Sequence, residues 1–244
     1  MLLKKTANKG GTVLSKLYFK FGTMNSSKTA NALMTKFNYE ERGFNVLLLK
    51  PSIDTRDDSN KVSSRIGLES TALEFDTTDD LLDMFYTINN YNFNQHIENF
   101  IFNCIIVDEV QFCTKEQIEQ LKYITEILDI PVLCYGLKTD FKSELFEGSK
   151  RLLEIADSIQ EIKSVCHCGK KSIINAKYNG DRIVTSGETI DIGGNEKFTS
   201  LCYKCWMRGE LGGNHNKHDD HHANKYESDK KPIVKIKLQR TVVI

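Results

Sequence analysis

Residues Gly22 to Thr29 read GTMNSSKT and could form a loop that binds the phosphates of a nucleotide. Such loops follow the pattern G-x-x-x-x-G-K-[ST], and this segment departs from it at Ser27, where a second glycine is usual. In such a loop, backbone N–H groups face the phosphates, a lysine (Lys28) reaches the outer phosphates, and a hydroxyl (Thr29) holds Mg²⁺. The alternative is that an ordinary loop matches this motif by chance. The second glycine of the motif stands where positive φ is needed. A serine can adopt that conformation at a cost of about 1 kcal/mol, so Ser27 is compatible with a working loop.

Two adjacent acids, Asp108 and Glu109, directly follow the apolar run CIIV at residues 104–107. A buried strand that ends in a carboxylate is the second part that a phosphate loop needs, because that carboxylate holds Mg²⁺ through water. The alternative is a solvated strand end. Together with the loop motif, the pair favours a functional site.

Four cysteines come in two close pairs, Cys166 with Cys168 and Cys202 with Cys205. Four thiolates in this arrangement suit a tetrahedral, structural Zn²⁺ site. Free or disulfide-bonded cysteines are the alternative, and His167 could replace one ligand. The odd total of seven cysteines favours a reducing, cytoplasmic setting.

Apolar runs and helical spacing alternate through the first two thirds of the chain. Buried strands are predicted at residues 17–21, 46–49, 104–107 and 132–135, and helices at 29–42 and 115–128. This alternation predicts an α/β fold, with a parallel sheet flanked by helices. We therefore predict an N-terminal extension (1–16), an α/β domain (17–163), a zinc-binding lobe (164–206) and a disordered polar tail (207–244).

The composition narrows the possible partners. Formal net charge is zero, which argues against binding to nucleic acid or to an anionic membrane surface. The chain has no apolar run of 18 residues, so no transmembrane helix is predicted. The first 16 residues are basic but lack the apolar core of a signal peptide; an organelle transit peptide is the alternative to a frayed extension.

Several segments together resemble the type II thymidine kinases, the cytosolic and bacterial-type family. They include YFKFGTMNSSKTANALM, KVSSRIGLE, IIVDEVQF, YGLKTDF, VCHCGKK and GETIDIGGNEKFTSLCYKCW, within residues 16–206. The resemblance implies a P-loop NTPase-type domain and a small zinc-ribbon lobe whose loop closes over the nucleoside. It also implies phosphorylation of the 5′-hydroxyl of thymidine, and of deoxyuridine, in nucleotide salvage.

The same resemblance implies the roles of individual residues. ATP would sit on the phosphate loop, Glu109 would be the catalytic base, and Thr29 and Asp108 would serve Mg²⁺. The phosphate-side contacts would be Gly22, Thr23, Met24, Asn25, Ser26, Ser27, Lys28, Thr29, Asp108, Gln111, Arg56 and Arg65. The nucleoside contacts would be Met24, Phe112, Leu137, Phe141, Thr189, Ile190, Asp191, Ile192, Gly193 and Phe198. Phe198 stands where the family commonly has tyrosine, and Asp191 where an apolar residue is usual.

Two other functions remain open at this point. One is a different P-loop ATPase, such as a motor or helicase-like protein, whose zinc lobe binds nucleic acid. The other is a catalytically silent relative that acts as a binding protein, for which Ser27 is the argument; the intact Lys28, Thr29, Asp108 and Glu109 oppose it. Family members are usually homotetramers, so a homotetramer is expected.

Overall fold

A computed structural model describes residues 15–54, 60–89, 100–187 and 197–212. The described strands are β1 (Leu17–Phe21), β2 (Val46–Pro51), β3 (Lys61–Ser63), β4 (Glu69–Thr71), β5 (Leu73–Phe75), β6 (Cys104–Val107), β7 (Val132–Gly136), β8 (Ser158–Glu161), β9 (Ile174–Asn179), β10 (Arg182–Val184) and β11 (Phe198–Leu201). The α-helices are α1 (Lys28–Glu40), α2 (Leu81–Ile88), α3 (Lys115–Leu128), α4 (Glu147–Ile155) and α5 (Tyr203–Arg208), and a short 3₁₀ helix spans Val110–Phe112. None of the described helices is long and apolar enough to cross a bilayer.

The central sheet has six strands in the order β5-β2-β6-β7-β1-β8, and all of its pairs are parallel. Every residue of β2, β6 and β7 is buried, as expected for parallel strands covered on both faces. The strands carry two separate hydrophobic clusters, one including α3 residues and the other α1 residues. The predicted parallel α/β fold is confirmed.

The order of the strands brings three candidate segments to one edge of the sheet. Strands β6, β7 and β1 are neighbours and parallel, so their carboxyl ends lie side by side. The loop at 22–27 follows β1, the acids at 108–109 follow β6, and Leu137 follows β7. Ligands of open parallel sheets bind at this edge, so the fold itself gathers a candidate site.

A second, antiparallel sheet in the order β10-β9-β11 packs with α5 into a small separate core. That core includes three of the four paired cysteines together with Ile174, Leu201 and Trp206. Much of the predicted N-terminal extension and polar tail lies outside the described residues.

Candidate functional site

The phosphate-loop candidate connects β1 to α1 through a backbone that turns sharply. Asn25 and Ser27 both lie in the left-handed region, each with φ of 61°, and Ser27 is the residue that precedes α1. The place of Ser27 in the motif predicts positive φ, as observed. The side chain of Ser27 makes no capping bond to the helix, so the residue matters here through its backbone conformation.

Gly22 occupies a position with no room for a side chain. A Cβ there would lie 2.4 Å from Ser26 Oγ and 2.5 Å from the Ile162 carbonyl oxygen. The Gly22 N–H also donates to the Gly136 carbonyl at 3.3 Å. The first glycine of the motif therefore permits close packing of the loop against the end of β7 and the residue that follows β8.

The cation and the hydroxyl at the start of α1 are both held by hydrogen bonds. Lys28 is buried, and its Nζ donates to the Thr23 carbonyl oxygen at 2.9 Å, closing the loop on itself. The Thr29 hydroxyl donates to Asp108 Oδ2 at 2.8 Å. The structure thus joins the phosphate-loop motif to the acid after β6, two features that lie 79 residues apart. Hydroxyl and carboxylate oxygens of this kind suit Mg²⁺.

Glu109 is a buried acid with an ordered orientation. It lies just before the 3₁₀ helix with φ of 50°, and Gln111 Nε2 donates to its Oε2 at 2.5 Å. The carbonyl oxygen of the same Gln111 side chain accepts from the Leu137 N–H at 2.9 Å. A single amide therefore fixes the candidate base relative to the end of β7.

The structure shows what packs against two of the aromatic residues that are predicted to contact a nucleoside. The Phe112 ring packs edge-on against Phe146, with centroids 5.9 Å apart. Phe141 is buried, and the ammonium groups of Lys142 and Lys177 lie 5.9 and 5.1 Å from its ring centroid. Phe112 lies in the 3₁₀ helix after β6, and Phe141 follows the end of β7 by five residues.

Two further predicted contacts can be located in the structure, and six cannot be described. Arg65 is exposed in the turn between β3 and β4, while Phe198 is the first residue of β11. The structure does not describe Arg56, Thr189, Ile190, Asp191, Ile192 and Gly193, which fall outside the described residues.

The four paired cysteines converge at one point. Their sulfur atoms all lie within 4.8 Å of one another, and Cys168 Sγ is 3.6 Å from Cys202 Sγ. The backbone N–H of Lys170 and the neighbouring thiols lower the pKa of Cys168 to about 6, whereas burial raises the pKa of Cys205. A cation would let all four ionise together, so the donor set fits tetrahedral Zn²⁺. His167 instead contacts the Glu210 carbonyl through Nε2 at 3.0 Å.

Three side chains contact the phosphate loop, two from the small sheet and one from the segment just before β9. None of them was identified from the sequence. Asn175 and Ser200 bond the backbone of Met24, and the hydroxyls of Ser172 and Thr23 lie 3.1 Å apart. These partners are 149 to 176 residues apart in the chain. No local motif marks them, so pairing in three dimensions is what reveals them.

Comparison with known proteins identifies close relatives. Residues 15–206 match the family model described as "Thymidine kinase". The chain is 45% identical over 192 residues to a thymidine kinase of Shewanella oneidensis, covering 78% of this chain and 96% of the relative. It is 44% identical over 191 residues to a thymidine kinase of Rhodopirellula baltica (78% and 86%), and 40% over 205 residues to one of Mannheimia succiniciproducens (83% and 100%).

Proposed function

The chain belongs to the thymidine kinase family, and from that premise we propose that it transfers the γ-phosphoryl group of ATP to the 5′-hydroxyl of thymidine. The product is the monophosphate, and the reaction serves nucleotide salvage. One observation carries the assignment to this site: the 2.8 Å hydrogen bond from Thr29 to Asp108 joins the phosphate loop to the acidic end of β6. Glu109, the next residue, would then lie beside the bound phosphates.

In the proposed reaction, Glu109 accepts the proton of the 5′-hydroxyl as that oxygen attacks the γ-phosphorus. The new bond joins the 5′-oxygen to phosphorus, the bond to the β,γ-bridging oxygen breaks, and ADP leaves. Transfer of this kind depends on positioning and charge neutralisation. The bond from Gln111 supports the role of Glu109, because it holds one carboxylate oxygen in a fixed direction.

The remaining residues would bind and orient the substrates. Lys28 and the backbone N–H groups of residues 22–29 would hold the phosphates, with Gln111, Arg56 and Arg65 on the phosphate side. Thr29 and Asp108 would hold Mg²⁺, which neutralises phosphate charge when bound. Aromatic walls suit a pyrimidine base. Residues Met24, Phe112, Leu137, Phe141 and Phe198 would therefore contact the nucleoside, together with residues 189–193 of the closing loop.

The assembly and setting are part of the same proposal. Cys166, Cys168, Cys202 and Cys205 would hold a structural Zn²⁺. A thiolate site of this kind needs a reducing compartment, which supports a cytoplasmic enzyme. We further propose a homotetramer, as the resemblance implies, and light scattering of the purified protein would give the subunit number.

The deciding experiment measures the monophosphate formed from ATP, Mg²⁺ and each of the four deoxynucleosides and deoxyuridine. Glu109→Gln serves as the matched variant, because glutamine keeps the shape of the side chain and removes its basicity. Thymidine monophosphate from the natural protein, largely lost in the variant, supports the proposal. If folded, zinc-loaded protein forms no product, the kinase proposal is wrong; ATP binding alone would then indicate a silent relative.

A further inference from the structure

Asn175 in β9 lies between the two loops that the proposed reaction must align. It is buried, its Oδ1 accepts from the Met24 N–H at 2.8 Å, and its Nδ2 donates to the Thr139 carbonyl at 2.8 Å. Met24 belongs to the phosphate loop, whereas Thr139 precedes Asp140 and Phe141 in the segment after β7. One amide thus bonds both the phosphate loop and the segment after β7.

A second side chain binds the same loop residue from the adjacent strand. Ser200 in β11 pairs directly with Asn175 in β9, and its hydroxyl donates to the Met24 carbonyl oxygen at 2.5 Å. The cross-strand pair therefore engages both backbone polar groups of Met24. Backbone groups that are bonded in this way are fixed in orientation as well as in position.

Together with the contact between the Ser172 and Thr23 hydroxyls at 3.1 Å, these polar bonds join the small sheet to the phosphate loop. A narrow cleft, lined in part by Gly22, Thr23, Thr139 and Asn175, runs between them. The sheet is itself tied to the cysteine cluster, since Cys202 directly follows β11. The hydrogen bonds of Asn175 and Ser200 thus connect the metal-binding lobe to the phosphate loop.

We propose that Asn175 is a positioning residue that sets the phosphate loop at a fixed distance from the 139–141 segment. Ser200 supports it by bonding the phosphate loop, and its hydroxyl bonds Met24 rather than Thr139. This inference rests on the proposed kinase function, in which the phosphate loop binds ATP and the 139–141 segment contributes to the thymidine site. Holding reactants in register is a large part of catalysis by positioning. The residue acts through Met24 and Thr139 and does not itself contact the reacting atoms.

The test uses the full chain and compares Asn175→Ala, Ser200→Ala and the control Asn179→Ala, whose side chain is exposed on the same strand. For each folded, zinc-loaded protein, one measures kcat, the KM for thymidine and the Kd for a non-hydrolysable ATP analogue with Mg²⁺. For Asn175→Ala we expect about a tenfold rise in the analogue Kd, a several-fold rise in the thymidine KM and a lower kcat. For Ser200→Ala we expect a rise of about threefold or more in the analogue Kd, with a smaller rise in the thymidine KM than Asn175→Ala produces, because Ser200 bonds Met24 and not Thr139.

A purely structural role predicts a different pattern. In that case the variants lower the melting temperature or the zinc-loaded fraction, while the constants per folded molecule stay within about twofold of the control. That result overturns the proposal, and if Asn175→Ala does not fold, the analogue Kd of Ser200→Ala decides. Failure of the kinase proposal is distinguishable: the natural protein would form no monophosphate, yet the analogue Kd would still report whether the lobe positions the loop.

Discussion

Gln111 Nε2 lies 2.5 Å from Glu109 Oε2, and the same side chain accepts from the Leu137 N–H through Oε1 at 2.9 Å. Gly136 leaves the space for this amide, because a Cβ there would lie 2.6 Å from Gln111 Oε1. The candidate base therefore has a defined orientation relative to the end of β7. That relationship makes Gln111 the first target for mutation.

Replacing Gln111 with methionine keeps the length of the side chain but removes both bonds. We expect kcat to fall by about tenfold or more, because the carboxylate loses its fixed direction, with less change in ATP affinity. Steady-state kinetics and calorimetry measure the two effects. Gln120→Met is a suitable control, since that glutamine bonds Leu81 on another part of the domain. Equal kcat values in both variants would contradict the prediction.

Substitutions of Ser27 measure how much a serine at this position of the phosphate loop lowers the free energy of unfolding. With φ of 61°, Ser27→Gly should relieve left-handed strain, partly offset by the greater freedom of glycine in the unfolded chain. We expect the free energy of unfolding to rise by about 0.5 kcal/mol, with activity retained. Ser27→Val should lower it by about 1 kcal/mol or more and weaken ATP binding, because a β-branched residue tolerates this conformation poorly.

Chemical denaturation and ATP titration give both quantities for the Ser27 variants. If the glycine variant is less stable and binds ATP less tightly, the serine hydroxyl has a specific role that the observed geometry does not indicate. The prediction would then be wrong.

Thr29 should control the requirement for Mg²⁺. Thr29→Ala removes the hydroxyl that bonds Asp108 at 2.8 Å, so we expect the Mg²⁺ concentration for half-maximal activity to rise by about tenfold. Thr29→Ser restores the hydroxyl and should stay near the natural value. Activity is measured against Mg²⁺ at saturating ATP. Identical Mg²⁺ curves for alanine and serine would rule out a direct role for this hydroxyl.

Removal of zinc should act on the phosphate loop as well as on the small lobe. The four cysteines anchor the sheet that holds Met24, so a chelator strong enough to extract zinc should weaken ATP binding and lower activity together. Metal release can be followed with a chromogenic chelator. Cys205→Ala should lose zinc, whereas the control Cys104→Ala, in buried β6, should keep it. Full ATP affinity in zinc-free protein would contradict the link.

The parts of the site that are local in the chain were predictable. Residues 22–29 could be identified by spacing, as could the acids after β6 and the two cysteine pairs, because each pattern is a short run whose chemistry depends on neighbours in sequence. The continuous apolar strands likewise predicted a parallel sheet, since strands buried on both faces have no polar alternation. Resemblance to a family then implied roles for individual residues that spacing alone left open, and those roles stay predictions.

The amino-acid sequence by itself thus determined the α/β fold, the phosphate-loop candidate and the four cysteines of the candidate metal site. Tertiary structure decided which distant groups meet: Thr29 with Asp108, Gln111 with Leu137, and Asn175 and Ser200 with the backbone of Met24. The physical reason is that these bonds depend on strand order and register, which bring together residues 26 to 176 positions apart. A serine or asparagine that bonds a distant backbone group carries no local signature, because its own neighbours do not reveal its partner.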